Sequence, residues 1–118
     1  MEGCQILDFQ WRYLYVNEAA ERHNRRPAAE LLGQTMQAAW PGIEQTTVYA
    51  MIGRTLRERT ALHDEVKFNF ADGSRGWFDI SISPVEEGAF VLSIDVTARH
   101  EAEAARTRLF EQEQLARS

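Results

Sequence analysis

The chain has 118 residues, 44% of them hydrophobic and 26% charged, with a formal net charge of -5 and a single cysteine, Cys4. This length fits one domain with one core, and one cysteine excludes an intramolecular disulfide. The negative charge argues against a nucleic-acid partner. Because the sequence shows neither a signal peptide nor an apolar run of roughly 20 residues, we expect a cytoplasmic domain without membrane insertion.

The first third of the sequence predicts a β-hairpin followed by short helices. Aromatic and β-branched residues over 5–9 and 13–16 indicate two short strands. Asn17 is a favoured helix N-cap, and good helix formers follow it. A second short helix is predicted over 28–32, and Gly33 supplies its left-handed end.

The rest of the sequence changes from helical to strand periodicity. Apolar residues at three- and four-residue spacing predict a long helix over 45–59. Alternating residues then predict antiparallel strands over 65–70 and 77–83, joined by a turn at 71–74, and a further strand over 90–94. We therefore predict an α+β fold, a five-stranded antiparallel sheet packed on one face by the short helices and the longer helix.

Two features suggest association with other chains. Trp77 falls on the outer side of the predicted sheet, where it is either an association surface or covered by the chain's own termini. From residue 98 onward the sequence is helix-forming, and its seam includes Ala102, Ala105 and Leu109 at heptad spacing. We expect a homodimer through the outer sheet face and this helix, although in isolation a monomeric helix is nearly as well supported.

Five stretches, in this order and at this spacing, resemble the PAS domains of bacterial signalling proteins. They are 12–17, Glu30-Leu31-Leu32-Gly33, 72–78, Ser83-Pro84 with Glu87-Gly88, and Asp95-Val96-Thr97-Ala98-Arg99. The resemblance covers residues 4–100 and implies the PAS fold. It also implies a PAS sensor domain over 1–97, and a truncated signalling helix or coiled-coil linker over 98–118.

The resemblance implies a regulatory role for the last of these stretches. In the family, an Asp-Val-Thr segment joins the final strand to an outgoing helix. We expect Asp95, Thr97 and Arg99 to relay a small-ligand, redox or partner signal to that helix, and through it to an effector of the histidine-kinase or diguanylate-cyclase type. The Asp95 and Thr97 side chains can bond free backbone N–H groups at the helix start, so local polar contacts would fix the junction.

The cofactor types known in the family match this sequence poorly. The flavin photoreceptors use a cysteine on the central helical segment, whereas Cys4 lies in the first strand, so flavin–cysteinyl photochemistry is excluded. Haem-binding members ligate iron through a histidine, usually on the long helix, and here only His63, just after that helix, is a candidate. We predict no cofactor and no metal, and a haem sensor is an alternative. No nucleophile–base pair or phosphate-binding loop indicates an enzyme.

A small, mostly apolar ligand could lie between the long helix and the sheet. The candidate lining residues on the long helix and the sheet are apolar or aromatic: Met51, Ile52, Phe68, Phe78 and Ile80. Met36 and Trp40 are candidates for a lid, and Tyr15 and Ser93 are candidate polar anchors. Residues of this kind are also typical of an ordinary core. A ligand-free dimerisation module is therefore the alternative function.

Overall fold

The computed structural model describes residues 2–70 and 73–117, and it confirms the predicted α+β fold. The five strands are β1 (Glu2–Asp8), β2 (Tyr13–Val16), β3 (Leu62–Asn69), β4 (Arg75–Val85) and β5 (Gly88–Asp95). They form one antiparallel sheet in the order β2-β1-β5-β4-β3. The helices are α1 (Glu18–Asn24), α2 (Ala28–Leu31), α3 (Met36–Ala39), α4 (Thr47–Glu58) and α5 (Thr97–Arg117), with a 3₁₀ turn at Ile43–Gln45 between α3 and α4.

Side-chain caps define where the helices begin. The Asn17 carboxamide oxygen accepts hydrogen bonds from the backbone N–H of Ala20 and of Cys4, both at 2.9 Å, so it caps α1 and ties it to β1. Thr46 caps α4 by accepting from the backbone N–H of Tyr49. The 3₁₀ turn occupies 43–45, which is why α4 begins two residues later than the helix predicted over 45–59.

The turn between β3 and β4 was predicted over 71–74, and Ala71 and Asp72 lie outside the described residues. On either side of them, the Phe70 N–H donates to the Ser74 carbonyl at 2.8 Å. Gly73 has φ +87°, a conformation that favours glycine. The described part of this connection therefore has the geometry of a hairpin.

One face of the sheet carries the core. Val66, Phe78, Ile80 and Ile82 are buried on β3 and β4, as the alternation predicts. Val48 and Ile52 of α4 are also buried and belong to the same cluster. The helices therefore cover one face of the sheet, and this is where any enclosed ligand would lie.

Helix α5 leaves the body of the domain after its first turn. No residue of α5 is fully buried, and Leu109, on the predicted seam, is 67% exposed. The first turn is the exception, because it contacts β3 and β4 through side chains described below. Within the described chain, no helix combines the length and hydrophobicity needed to cross a membrane.

Candidate functional site

A cavity of about 430 Å³ lies between the sheet and the helical layer. Its walls come from the inner face of the sheet, from α1, α3 and α4, and from the loop before α4. Pro41, Gly42 and Asn69 are exposed residues in its lining, so the cavity reaches the surface between the loop and the end of β3. Its volume is at the small end of the range for ligand sites, roughly 300–1,000 Å³.

Most of the predicted pocket residues lie in this cavity. Its lining includes both predicted lid residues, Met36 and Trp40, and one predicted anchor, Ser93. Four of the predicted apolar residues also line it: Ile52, Phe68, Phe78 and Ile80. Ser93 is only 4% exposed, so a polar group is held inside the apolar layer.

Two predicted residues, Met51 and Tyr15, do not line the cavity. Helix α4 turns Val48 and Ile52 towards the core, which leaves Met51 partly buried at the edge of that stripe. Tyr15 is 48% exposed and pairs with Ile6 on the outer face of the sheet. Because the register between β1 and β2 shifts after Ile6, Tyr13 is the tyrosine that faces inward.

Tyr13 contributes a polar hydroxyl group to the cavity lining. Its hydroxyl oxygen accepts a hydrogen bond from Trp40 Nε1 at 3.0 Å, so the ring of the predicted lid residue is anchored to β2. Burial raises the pKa of Tyr13 to about 12, although the hydrogen bond from Trp40 acts in the opposite direction.

A second polar group of residues lies where α1 crosses β1 and β5. His23 Nδ1 is 2.9 Å from Ser93 Oγ, and the Asn24 carboxamide nitrogen donates to Gln5 Oε1, also at 2.9 Å. All four residues line the cavity. The sequence did not indicate His23, Asn24 or Gln5 as cavity residues. Alternation along β1 could have found Gln5, because Gln5 and Leu7 are two residues apart and face the same side of the sheet.

The cavity lining is uncharged. Among the described residues that line it, none is Asp, Glu, Lys or Arg. Burial lowers the pKa of His23, and the charges of Arg22 and the chain's amino group act in the same direction, while Asp95 opposes them. His23 is therefore neutral at pH 7, and the cavity favours an uncharged molecule.

A smaller pocket of about 210 Å³ lies on the other side of His23. Phe70 and Phe78 line both spaces together with His23. The smaller pocket also contains Asp95 and Thr97, the two residues at the start of α5. One shared wall therefore separates the large cavity from the strand–helix junction.

The junction is held by hydrogen bonds of Asp95, Thr97 and Trp77. Asp95 Oδ1 accepts from the Thr97 N–H, and Thr97 Oγ1 accepts from the Trp77 N–H, both at 2.9 Å. The Trp77 carbonyl accepts from the Val96 N–H at 2.9 Å. Burial alone would raise the pKa of Asp95, but the hydrogen bonds from Thr97 and the charges of His23 and Arg25 lower it below its ordinary value.

The first turn of α5 is fixed to the outer face of the sheet. The His100 ring stacks on Trp77 with a centroid separation of 4.1 Å, and His100 Nε2 lies 2.6 Å from Glu65 Oε1 on β3. Arg99 forms an ion pair with the same carboxylate. Hydrogen bonds from His100 and Arg99 lower the pKa of Glu65. Trp77 is therefore partly covered by the chain's own helix, one of the two arrangements left open by the sequence.

Comparison with known proteins identifies the family. The PAS fold family model matches residues 1–101. The chain belongs to the PAS family. None of the curated protein sequences compared with it matched.

Solved PAS domains have the same fold at low sequence identity. A PAS domain from Colwellia psychrerythraea is similar with a TM-score of 0.64 and 16% identity, over 82% of this chain and 87% of that one. The PAS domain of the histidine kinase ThkA is similar with a TM-score of 0.64 and 18% identity, over 80% of this chain and 100% of that one. A LOV domain of a blue-light-activated histidine kinase from Erythrobacter litoralis is similar with a TM-score of 0.61 and 18% identity, over 80% of this chain and 95% of that one. At these identities the solved structures show a shared fold, and the regulatory character of the domain follows from its membership of the PAS family.

The residues considered for cofactors lie away from the cavity of this PAS domain. Cys4 is on β1 between the inward-facing Gly3 and Gln5, and it is not among the cavity-lining residues. His63, the haem-ligand candidate of the sequence, is not among the cavity-lining residues either. Its side chain is 60% exposed on β3 and pairs with Asp79. Within the described ranges, no three His, Cys, Asp or Glu residues are grouped to hold a metal ion.

Proposed function

We propose that this PAS domain senses a small, uncharged, mostly apolar molecule in the 430 Å³ cavity and relays its presence to α5. The relay would pass through Asp95, Thr97 and Arg99 to an effector of the histidine-kinase or diguanylate-cyclase type, in the cytoplasmic part of a bacterial signalling protein. The observation that carries the proposal is the wall shared by the cavity and the junction, formed by His23, Phe70 and Phe78.

The chemistry of the lining supports the ligand class. Apolar and aromatic side chains form most of the wall, so a ligand would gain stability by removing apolar surface from water. A charged group would lose its hydration without meeting an opposite charge in the described lining. Tyr13 offers a hydrogen bond at one place in the cavity, and Ser93 and Gln5 offer hydrogen bonds at another, which would orient a ligand that carries one or two polar atoms.

The form of the junction supports the relay. Asp95 is exposed, and Thr97 is only partly buried, so the start of α5 is held by a few hydrogen bonds instead of a deep core. A preference of a few kcal/mol between two helix arrangements is enough to shift such an equilibrium. The ion pair of Arg99 with Glu65 gives α5 a second attachment, to β3.

Indole, an uncharged bicyclic molecule, is a suitable probe of the cavity. We expect indole to cause saturable amide shifts at cavity-lining residues and at Val96 and Thr97 in NMR spectra. Indole-3-carboxylate, its charged analogue, should cause far smaller shifts. A Val48→Phe variant, which places a ring in the cavity from α4, should weaken the response. Shifts that do not saturate, or that are equal in the variant, would show that the cavity is not the binding site.

A second candidate function, a homodimerisation module, is favoured by the outer face of the sheet. Partly buried apolar residues lie side by side there on β1 and β5: Ile6, Phe90, Leu92 and Ile94. Tyr15 extends this strip onto β2. Of the predicted contact residues, Ala102 and Leu109 are exposed on α5 and Ala105 is partly exposed.

Sedimentation equilibrium tests this second function. If the outer face and α5 both form the interface, the protein should be dimeric at micromolar concentration, and Phe90→Ser should weaken the dimer. Thr60→Ser, in the exposed connection between α4 and β3 and away from the apolar strip, is the control. A strict monomer at high concentration would contradict the dimerisation function and leave the ligand cavity unaffected.

A further inference from the structure

His23 occupies an unusual position for a residue near the end of a short helix. It lines the large cavity and the smaller pocket, and so touches both the proposed ligand site and the junction. Basic residues near a helix C-terminus often do no more than interact with the helix dipole. Here, however, the ring is turned into the domain, where Nδ1 is 2.9 Å from Ser93 Oγ.

Three strands restrict the movement of this ring. The Phe78 ring on β4 lies against it, with centroids 5.3 Å apart. Gly3 on β1 approaches so closely that an added Cβ would be 2.8 Å from His23 Nδ1. Ser93 on β5 completes the enclosure. A change in the ring's hydrogen bonding therefore affects these neighbours, because residues from three strands contact the ring where it lies between the cavity and the smaller pocket.

The neighbour that matters for output is Asp95. Ser93 and Asp95 are two residues apart on β5, so their side chains project towards the same face of the sheet. The charge of Asp95 favours protonated His23, and the charge of His23 favours ionised Asp95. Asp95 is also the acceptor for the Thr97 N–H at the start of α5. The smaller pocket therefore has in its lining both the imidazole and the carboxylate that accepts the Thr97 N–H.

We propose that His23 is the positioning residue that couples the large cavity to the start of α5. A ligand that takes over the hydrogen bond between His23 and Ser93 changes the position or the charge of the ring, and thereby the hold of Asp95 on Thr97. This inference rests on the proposed sensory function, since it names the route by which the cavity would signal. It adds a role for a residue outside the Asp95–Thr97 segment.

The coupling can be measured without any ligand, by NMR titration of His23. In the native chain, which has three histidines, the His23 ring signal is assigned as the one that is lost in His23→Gln. The charged groups around His23 in the described chain are Asp95 on β5 and Arg22 on α1, and Arg25 and Arg75 line the smaller pocket. We expect the Thr97 amide shift to follow the same midpoint as the His23 ring.

Substitution of Asp95 provides the reciprocal measurement. Because Asp95 favours the protonated ring, Asp95→Asn should lower the midpoint of the His23 titration and so weaken proton binding by the ring. Asp8→Asn, at the opposite end of β1, should leave the midpoint unchanged. A Thr97 amide that does not follow His23, or a midpoint unaffected by Asp95→Asn, would overturn the proposal.

A final arm separates this inference from the proposed function. Indole should shift the Thr97 amide of the native protein, and that shift should be lost in His23→Gln while the shifts of cavity amides on α4 remain. If His23→Gln does not fold, Ser93→Ala removes the same hydrogen bond from the β5 side. Equal Thr97 shifts with and without the His23–Ser93 bond would mean that the cavity signals by another route. No binding of indole would instead contradict the proposed function, while the titration would still decide the coupling.

Discussion

Replacing Asp95 with alanine should loosen the start of α5 while the domain stays folded. The substitution removes the carboxylate that accepts the Thr97 N–H at 2.9 Å. Loss of a side-chain cap costs about 1 kcal/mol, and the exposure of Asp95 places the effect near or below that value. The backbone bond from Val96 to Trp77 and the Thr97–Trp77 hydrogen bond remain, so the junction loosens without detaching.

Hydrogen exchange at the His100 amide measures this loosening. That amide donates to the Val96 carbonyl in the first turn of α5. A loss of about 1 kcal/mol corresponds to about fivefold faster exchange there, since 1.4 kcal/mol is tenfold. Asp8→Ala removes a different carboxylate that also accepts backbone N–H bonds, and it should leave His100 protected.

The pH dependence gives an independent check on Asp95. Its pKa is lowered in the folded protein, so its stabilising contribution is present above the ordinary value of 3.8 and is lost as the pH falls below it. The protection of His100 should therefore fall on acidification in the native protein and less so in Asp95→Ala. Unchanged protection in the variant at neutral pH would refute the role of Asp95, and global unfolding would show that it holds the fold and not only the junction.

Three further predictions concern the cavity and the attachment of α5. Gly3→Ala should lower the midpoint of thermal unfolding, because the added Cβ would lie 2.5 Å from Ser93 Oγ. Gly53→Ala in α4 is the control and should be neutral or stabilising, because the nearest atom to its added Cβ is the tip of a flexible side chain. The free energy of unfolding should fall between pH 10 and about pH 12 as the unfolded chain loses the Tyr13 proton first, and Tyr13→Phe should reduce this fall. Glu65→Gln should speed hydrogen exchange in the first turn of α5 above pH 4.5 and have a diminishing effect below that pH. The reason is that the pKa of Glu65 is lowered in the folded protein, so its ionised form stabilises the fold. An equal effect at all pH values would contradict this.

Local patterns in the sequence were sufficient to predict most of the fold. The alternation through β3 and β4 correctly placed Phe78 and Ile80 inside and Trp77 outside, because a half-buried strand repeats every two residues. Asn17 marked the start of α1 for a similarly local reason, since its side chain bonds an N–H three residues away. Such features depend on neighbours in the chain and can be read without knowing the fold.

The errors and omissions at the site have long-range causes. Strand β2 is only four residues long and its register shifts, so alternation could not show that Tyr13 faces inward and Tyr15 outward. His23 was missed because its partner, Ser93, is 70 residues away, and only the packing of α1 across the sheet brings them together. A polar residue near a helix end carries no local sign of such a partner.

Hydrogen exchange of α5 with the cavity filled tests the central claim most directly. With indole at saturation, we expect a changed exchange rate at His100 and its neighbours in the native protein, and little change in Val48→Phe. Saturation of the cavity, seen at amides of its lining, without any change in α5 would contradict the claim that this domain converts ligand binding into a signal at its outgoing helix.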